Sequence, residues 1–282
     1  MPGFSRARHL QSAKRKLLIL FLWAVLIFLP IAHHSSLITA QTEPALKKAQ
    51  TDYNFQFTKY RDAREEYETA KAAYLSFKTA IAKTNAYGKT KDYLNQVDNL
   101  YISYVRLVEE HGNQFNWGKL SFHKDQVAKL LNDEESYFEA HQQKLNSTRT
   151  LEELPTLAGE LKSHLQEQTD GKIYKTLATY EIAQTQSTFD EFNLLSQILD
   201  RVVVFKLRAG ETRLVLANWA TEINDIKEKT DTQLKLAIEK LNATGQDSAT
   251  RAQLERITEL AGSAKSELKR SKLLFEEVER IL

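Results

Sequence analysis

The sequence predicts an all-α protein: an elongated antiparallel helical bundle with a C-terminal coiled-coil hairpin. Three observations carry this. Ala, Leu, Lys, Glu and Gln, all strong helix formers, dominate the chain beyond residue 40. In that part the prolines are Pro44 and Pro155, and neither interrupts a long periodic run. No stretch of about four to eight residues alternates apolar and polar side chains as a half-buried strand would. At 42% hydrophobic and 27% charged, the composition is that of a globular chain rather than a disordered one.

The elements follow in order. A first helix starts near Pro44, a residue suited to a first helical turn, and runs to about Ala86 before YGKT. A second, about 90–110, carries Tyr93, Val97, Leu100, Tyr101, Tyr104, Leu107 and Val108 on one broad face. HGNQFNWG, His111 to Gly118, reads as a loop whose Phe115 and Trp117 tuck back onto the bundle. The third helix, about 119–145, spaces Val127, Leu130, Leu131, Phe138 and Leu145 helically. Thr150, with Glu153 three residues on, reads as a capping box opening a fourth helix that runs to about Gln168, where TDG ends it.

Beyond Lys172 the pattern narrows. Leu195, Ile198, Val202, Phe205, Ala209, Thr212, Leu216, Trp219, Ile223 and Ile226 keep 3-4 spacing straight through Gly210. That predicts a helix continuous through Gly210, with a hairpin capped by Gly210 as its rival. NATGQDS, Asn242 to Ser248, is a turn with Ser248 as N-cap. After it, Leu254, Ile257, Ala261, Ala264, Leu268, Ser271, Phe275, Val278 and Leu282 form a seam of two positions in seven, the pattern of a coiled coil. Folding back at 242–248 sets Ile223 near Leu268 and Leu216 near Phe275. The body therefore divides into a helical bundle, 41–209, and an antiparallel hairpin, 210–282. Such a seam also permits self-association.

The first forty residues are distinct. Arg6, Arg8, Lys14, Arg15 and Lys16 precede an uncharged core, Leu17 to Ala32, which Pro30 breaks, and Ala40 suits a cleavage site. This is the layout of a signal peptide, with an uncleaved signal anchor as the competing reading; either places residues 41–282 on the outer side of the cytoplasmic membrane. If uncleaved, residues 17–32 make the membrane itself a partner. Taking the five basic residues of that segment from the chain's 39 leaves 34 against 37 acidic, a body of about −3. A near-neutral body argues against nucleic-acid binding.

YRDAREEYETAKAAY, Tyr60 to Tyr74, sits within a ladder of Tyr53, Tyr60, Tyr67 and Tyr74 on one helix edge, with Ala63, Ala70 and Phe77 one turn on. Tyrosine rings bury apolar area and keep a hydroxyl at a wet rim, so the ladder reads as a packing seam or as a protein-interaction edge. Arg61, Arg64, Lys71 and Lys78 alternate with Glu65, Glu66 and Glu68 as a solvated face does. The pattern Tyr53-Phe57-Tyr60-Arg61-Ala63-Tyr67-Ala70-Lys71-Tyr74 after a signal segment resembles exported helical proteins of small-genome bacteria. The resemblance covers the signal and first helix, and implies membrane-associated or secreted helical bundles with no catalytic residues to carry over.

Searches for chemistry find little. The chain has no cysteine, hence no disulfide or thiolate. His111, His123, His141 and His164 lack the spacing that sets two metal ligands on one helix face, and Glu160 with His164 reads as a surface pair. Phosphate loops and nucleophile motifs are missing. Glu109–Glu110, Glu134–Glu135 and Glu276–Glu277 read as solubilising pairs, and Asn146 and Asn242 as glycosylation acceptors in loops. No cofactor or metal is expected. The expectation is a non-enzymatic extracytoplasmic scaffold or adaptor that recognises a cell-envelope protein helix to helix. The alternative is a ligand-sensing extracytoplasmic bundle, which needs a polar-lined cavity between the first four helices.

Overall fold

A computed structural model describes residues 42–208, 213–244 and 250–281. The chain is all-α: among these residues there is no strand, and the helices pack against one another. In order they are α1 (Thr42–Phe77), α2 (Ala80–Gly112), α3 (Ser121–Ser147), α4 (Leu154–His164), α5 (Asp170–Arg208), α6 (Arg213–Ala243) and α7 (Arg251–Ile281), with a short 3-10 turn Gly118–Leu120 before α3 and a π turn Leu165–Thr169 after α4. The residues of the expected signal or anchor, and Gly210, lie outside the described residues. No described helix is long and apolar enough to cross a membrane.

The first helix ends nine residues earlier than the sequence suggests. Lys78 adopts the left-handed conformation (φ 50°), and its N–H donates to the Tyr74 carbonyl at 2.9 Å, closing α1 as a left-handed C-cap does. Thr79 then caps α2, its hydroxyl accepting from the Ala82 N–H at 3.1 Å. YGKT lies inside α2, where Tyr87 donates to the Thr148 carbonyl at 2.7 Å and Lys89 pairs with Glu66 at 2.6 Å. Thr79→Ala should cost about 1 kcal/mol in chemical denaturation. A loss under about 0.3 kcal/mol would show that the cap does not hold the turn.

α1 and α2 form an antiparallel hairpin bridged by rings. Tyr53 meets Tyr104 at 5.8 Å between centroids, Tyr60 meets Tyr93 at 5.8 Å, and Tyr67 stacks on Tyr93 at 5.0 Å. Tyr60 joins Leu94, Val97, Ile102, Phe138, Leu145, Leu154 and Leu161 in one buried cluster.

A second cluster unites α2, α3, α5, α6 and α7. At its edge the 113–117 loop folds inward as expected: Trp117 donates to the Gly112 carbonyl at 2.9 Å, and Phe115 and Trp117 flank Tyr180. TDG does not end α4. The chain passes through the π turn into α5 without leaving helical geometry, because Thr169 and Lys172 are held by a buried acid described below.

The buried face of α5 is Ile182, Thr185, Phe189, Phe192, Ser196 and Leu199, also at 3-4 spacing. Leu195 and Ile198 of the expected seam face outward, because a neighbouring series containing Thr185 and Ser196 takes the core. The hairpin seam does match: Trp219, Ile223, Ile226, Leu254, Ile257, Ala261, Ala264 and Leu268 are buried. An ion pair between Glu222 and Arg270 at 2.7 Å sets the register expected for Ile223 and Leu268. Both arms also lie along α5, where Lys265 pairs with Glu181 at 3.0 Å and Phe192 meets Phe275 edge-on at 5.8 Å. Ser248 lies outside the described residues. The capping box at the start of α7 is Thr250 with Gln253: each backbone N–H donates to the other's side chain, at 2.9 and 3.3 Å.

Candidate functional site

Polar groups interrupt the apolar stripe of α3 at two points. Val127, Leu131, Glu134, Phe138, His141 and Leu145 follow 3-4 spacing on its buried face, so Glu134 and His141 occupy core positions. Asp98 does the same on α2, and His164 completes the Leu154, Leu157, Leu161 series on α4. Together they make two buried acid–histidine pairs.

In the first pair, His141 Nδ1 lies 2.7 Å from Asp98 Oδ2, with both residues almost wholly buried. His141 Nε2 lies 3.2 Å from the Leu157 carbonyl. A carbonyl only accepts, so Nε2 carries a hydrogen. The 2.7 Å contact between Nδ1 and Oδ2 is then a hydrogen bond joining the two side chains. Burial pushes the Asp98 carboxyl up and the His141 contact opposes it; Oδ1 has no hydrogen-bond partner.

The second pair is a hub. Glu134, fully buried, accepts from Thr169 Oγ1 at 2.6 Å and Lys172 Nζ at 2.7 Å, and lies 3.2 Å from His164 Nε2. Burial alone would raise this carboxyl, but the bonds from His164, Lys172 and Thr169 outweigh it and hold it at about 2. It remains a carboxylate at neutral pH. Tyr137 lies between the pairs, stacked on His164 at 3.3 Å and parallel to His141 at 6.3 Å. The π turn makes the hub possible, since it presents Thr169 and Lys172 to one carboxylate together with His164 of the preceding helix.

The chemistry of this core is positional. Asp98, Glu134, His141 and His164 have acid–base side chains, and the linings of two cavities among the described residues do not include them. One cavity, about 290 Å³, lies between α3, α5 and the end of α6 and is lined by His123, Gln126, Lys175, Thr179, Asn242 and Thr244 among others. Burial lowers the affinity of His123 for a proton, and nearby Lys175 adds to the effect. The other, a shallow depression of about 580 Å³, flanks the start of α2. Among the described residues no group of three or more His, Asp and Glu is arranged to hold a metal ion.

Several residues singled out in the sequence take other roles. Tyr53, Tyr60 and Tyr67 turn toward α2, and Tyr74 is half-buried near the α1–α2 turn. Glu160 pairs with Lys144 at 3.1 Å, leaving His164 to Glu134. Glu134 and Glu135 diverge: the first is buried, and the second forms a surface ion pair with Arg106. Asn146 and Asn242 are exposed, in the last turns of α3 and α6 rather than in loops. No family model matches the chain, and neither a curated protein nor a solved structure matches it.

Proposed function

We propose that the protein is a non-enzymatic scaffold or adaptor on the outer side of the cytoplasmic membrane, binding a cell-envelope protein by helix-on-helix packing. The observation that carries this reading is an apolar stripe on α5: Leu194, Leu195 and Ile198 are 60%, 50% and 51% exposed. Their spacing is that of a helix-packing seam, and contiguous exposed apolar side chains mark interaction surfaces. The export reading draws its support from the basic and apolar segments before residue 40. The resemblance of the signal and first helix to exported proteins of small-genome bacteria points the same way.

The test is affinity capture from cell-envelope fractions with the full chain and with Leu195→Glu/Ile198→Glu. The expected result is a partner held by the wild type and lost by the folded variant. Equal capture by both, or a wild-type monomer that retains no partner, would overturn the reading. A ligand-sensing bundle would draw instead on the polar-lined cavity at His123 and Lys175, which lies between α3, α5 and the end of α6 rather than between the first four helices. It requires the protein's Tm to rise with a small-molecule envelope extract.

A further inference from the structure

The α1–α2 hairpin ends in a tip with an unusual surface. Residues 75–81 are all exposed, among them Leu75 at 61%, Phe77 at 73% and Ile81 at 83%. Residues 69–91 contain Lys71, Lys78, Lys83, Lys89 and Lys91 and no acidic side chain. The carboxylates that reach this end come from elsewhere. Glu66 engages Lys89, Glu152 engages Lys83, Glu153 accepts from the Thr150 hydroxyl and Arg149 N–H, and Glu68 lies one turn before Lys71. Beyond Tyr74 the tip itself carries only positive charge. Beside Ile81 lies the shallow depression, floored by Gly88, above which a Cβ would meet no atom within 4 Å; Asp92 stands at its far rim.

Three apolar side chains at a protruding turn are too few for a protein interface of standard size, which takes about 20–30 residues a side. The same turn can enter a deformable lipid interface, burying its apolar groups while flanking lysines meet phosphates. Apolar insertion and cationic attraction reinforce each other there, because neither alone gives stable attachment. We propose that the α1–α2 tip docks onto an anionic lipid surface, with Leu75, Phe77 and Ile81 entering the interfacial layer. This does not rest on the α5 stripe, so a failed partner capture leaves it standing.

The absence of cysteine makes a clean test available, since Ser76→Cys accepts a single environment-sensitive fluorophore on the full chain. Residues 17–32 are common to every sample, and the label reports only on the tip. The expected result is a blue shift and a roughly threefold gain in emission with vesicles containing about one-third phosphatidylglycerol, and little change with neutral phosphatidylcholine. Adding Phe77→Ser/Ile81→Ser, or Lys71→Glu/Lys78→Glu, should raise the lipid concentration needed by on the order of tenfold, with helical content unchanged. An unshifted label, equal shifts in neutral and anionic vesicles, or an equal shift from a label at Ser136→Cys would overturn the proposal. So would a response to soluble acidic protein or nucleic acid but not to vesicles.

Discussion

Replacing Glu134 with alanine should lower the unfolding free energy by about 3–5 kcal/mol, the range for removing one partner of a buried ion pair. In a chain of this size that corresponds to a fall in Tm of roughly 6–20 °C. The loss is large because Lys172, His164 and Thr169 would keep their buried positions without the acceptor that satisfies them. Glu134→Gln keeps the shape and one acceptor but not the charge, and should cost less than Glu134→Ala. Removing Lys172 as well should recover part of the alanine variant's loss, since an unpaired ammonium is then no longer buried. A cost under about 1 kcal/mol for Glu134→Ala would show that water replaces the carboxylate and that the hub does not hold α3 to α5.

The same residue sets an acid dependence whose sign is fixed. The Glu134 carboxyl falls from an ordinary 4.5 to about 2 in the folded state. A depressed carboxyl stabilises the fold above its unfolded pKa and loses that contribution as pH falls toward the folded one. The window is therefore about pH 5 to 2, and its size on the order of 3 kcal/mol. Asp98 acts in the opposite sense: its raised carboxyl favours folding below its ordinary value, and that contribution is lost as pH rises. Stability measured from pH 6 down to pH 2 for wild type and Glu134→Gln separates the two, because Asp98 is common to both. The wild-type curve should fall more steeply, and parallel curves would overturn the assignment.

Gly112→Ala is the second substitution with a large expected effect. Alanine is ordinarily the better helix residue by about 1 kcal/mol. Here a Cβ would overlap the Tyr180 ring at its hydroxyl, Cζ and Cε1. The ring has little room to retreat. Its hydroxyl donates to the Val108 carbonyl at 2.9 Å, and Phe115 and Trp117 pack edge-on against it at 5.4 and 5.8 Å. Overpacking should exceed the propensity gain, giving a net loss of about 2–3 kcal/mol. Gly88→Ala, where a Cβ meets no atom within 4 Å, is the control and should stabilise by about 0.5–1 kcal/mol. If both glycines respond alike, helix propensity rather than the Tyr180 contact decides the outcome.

Much of this architecture is legible in the sequence, and the failures have physical causes. The helical class follows from composition and spacing, the inward fold of Phe115 and Trp117 from two large aromatics in a short loop, and the register of Ile223 against Leu268 from 3-4 spacing. The turn at Lys78 and Thr79 does not, because a lysine in the left-handed region leaves no compositional mark and Ala80 and Ala82 continue the helical pattern. TDG looks like a terminator, yet Thr169 is captured by Glu134 across the bundle, a contact no local pattern reports. On α5 the all-apolar series with Leu195 and Ile198 is the more conspicuous, while the core takes the series containing Thr185 and Ser196. The buried pairs were visible in one respect only: Glu134, His141, Asp98 and His164 each stand where a stripe of apolar residues calls for another. Reading Glu134 as a solubilising group and His164 as a surface partner of Glu160 concealed the hub.

The π turn at Leu165–Thr169 has a consequence for the rod that contains it. A π turn spends one extra residue, and each residue advances an α-helix by about 100°. The unbroken run from Leu154 to Arg208 thus changes heading part-way, serving the first core with α4 and the second with α5. Losing one residue between 165 and 169 would swing Phe189, Phe192 and Leu199 through more than a quarter of a circle, away from both arms of the hairpin. Chain length in those five positions is a rotational setting for everything downstream, where a surface loop would absorb the same deletion.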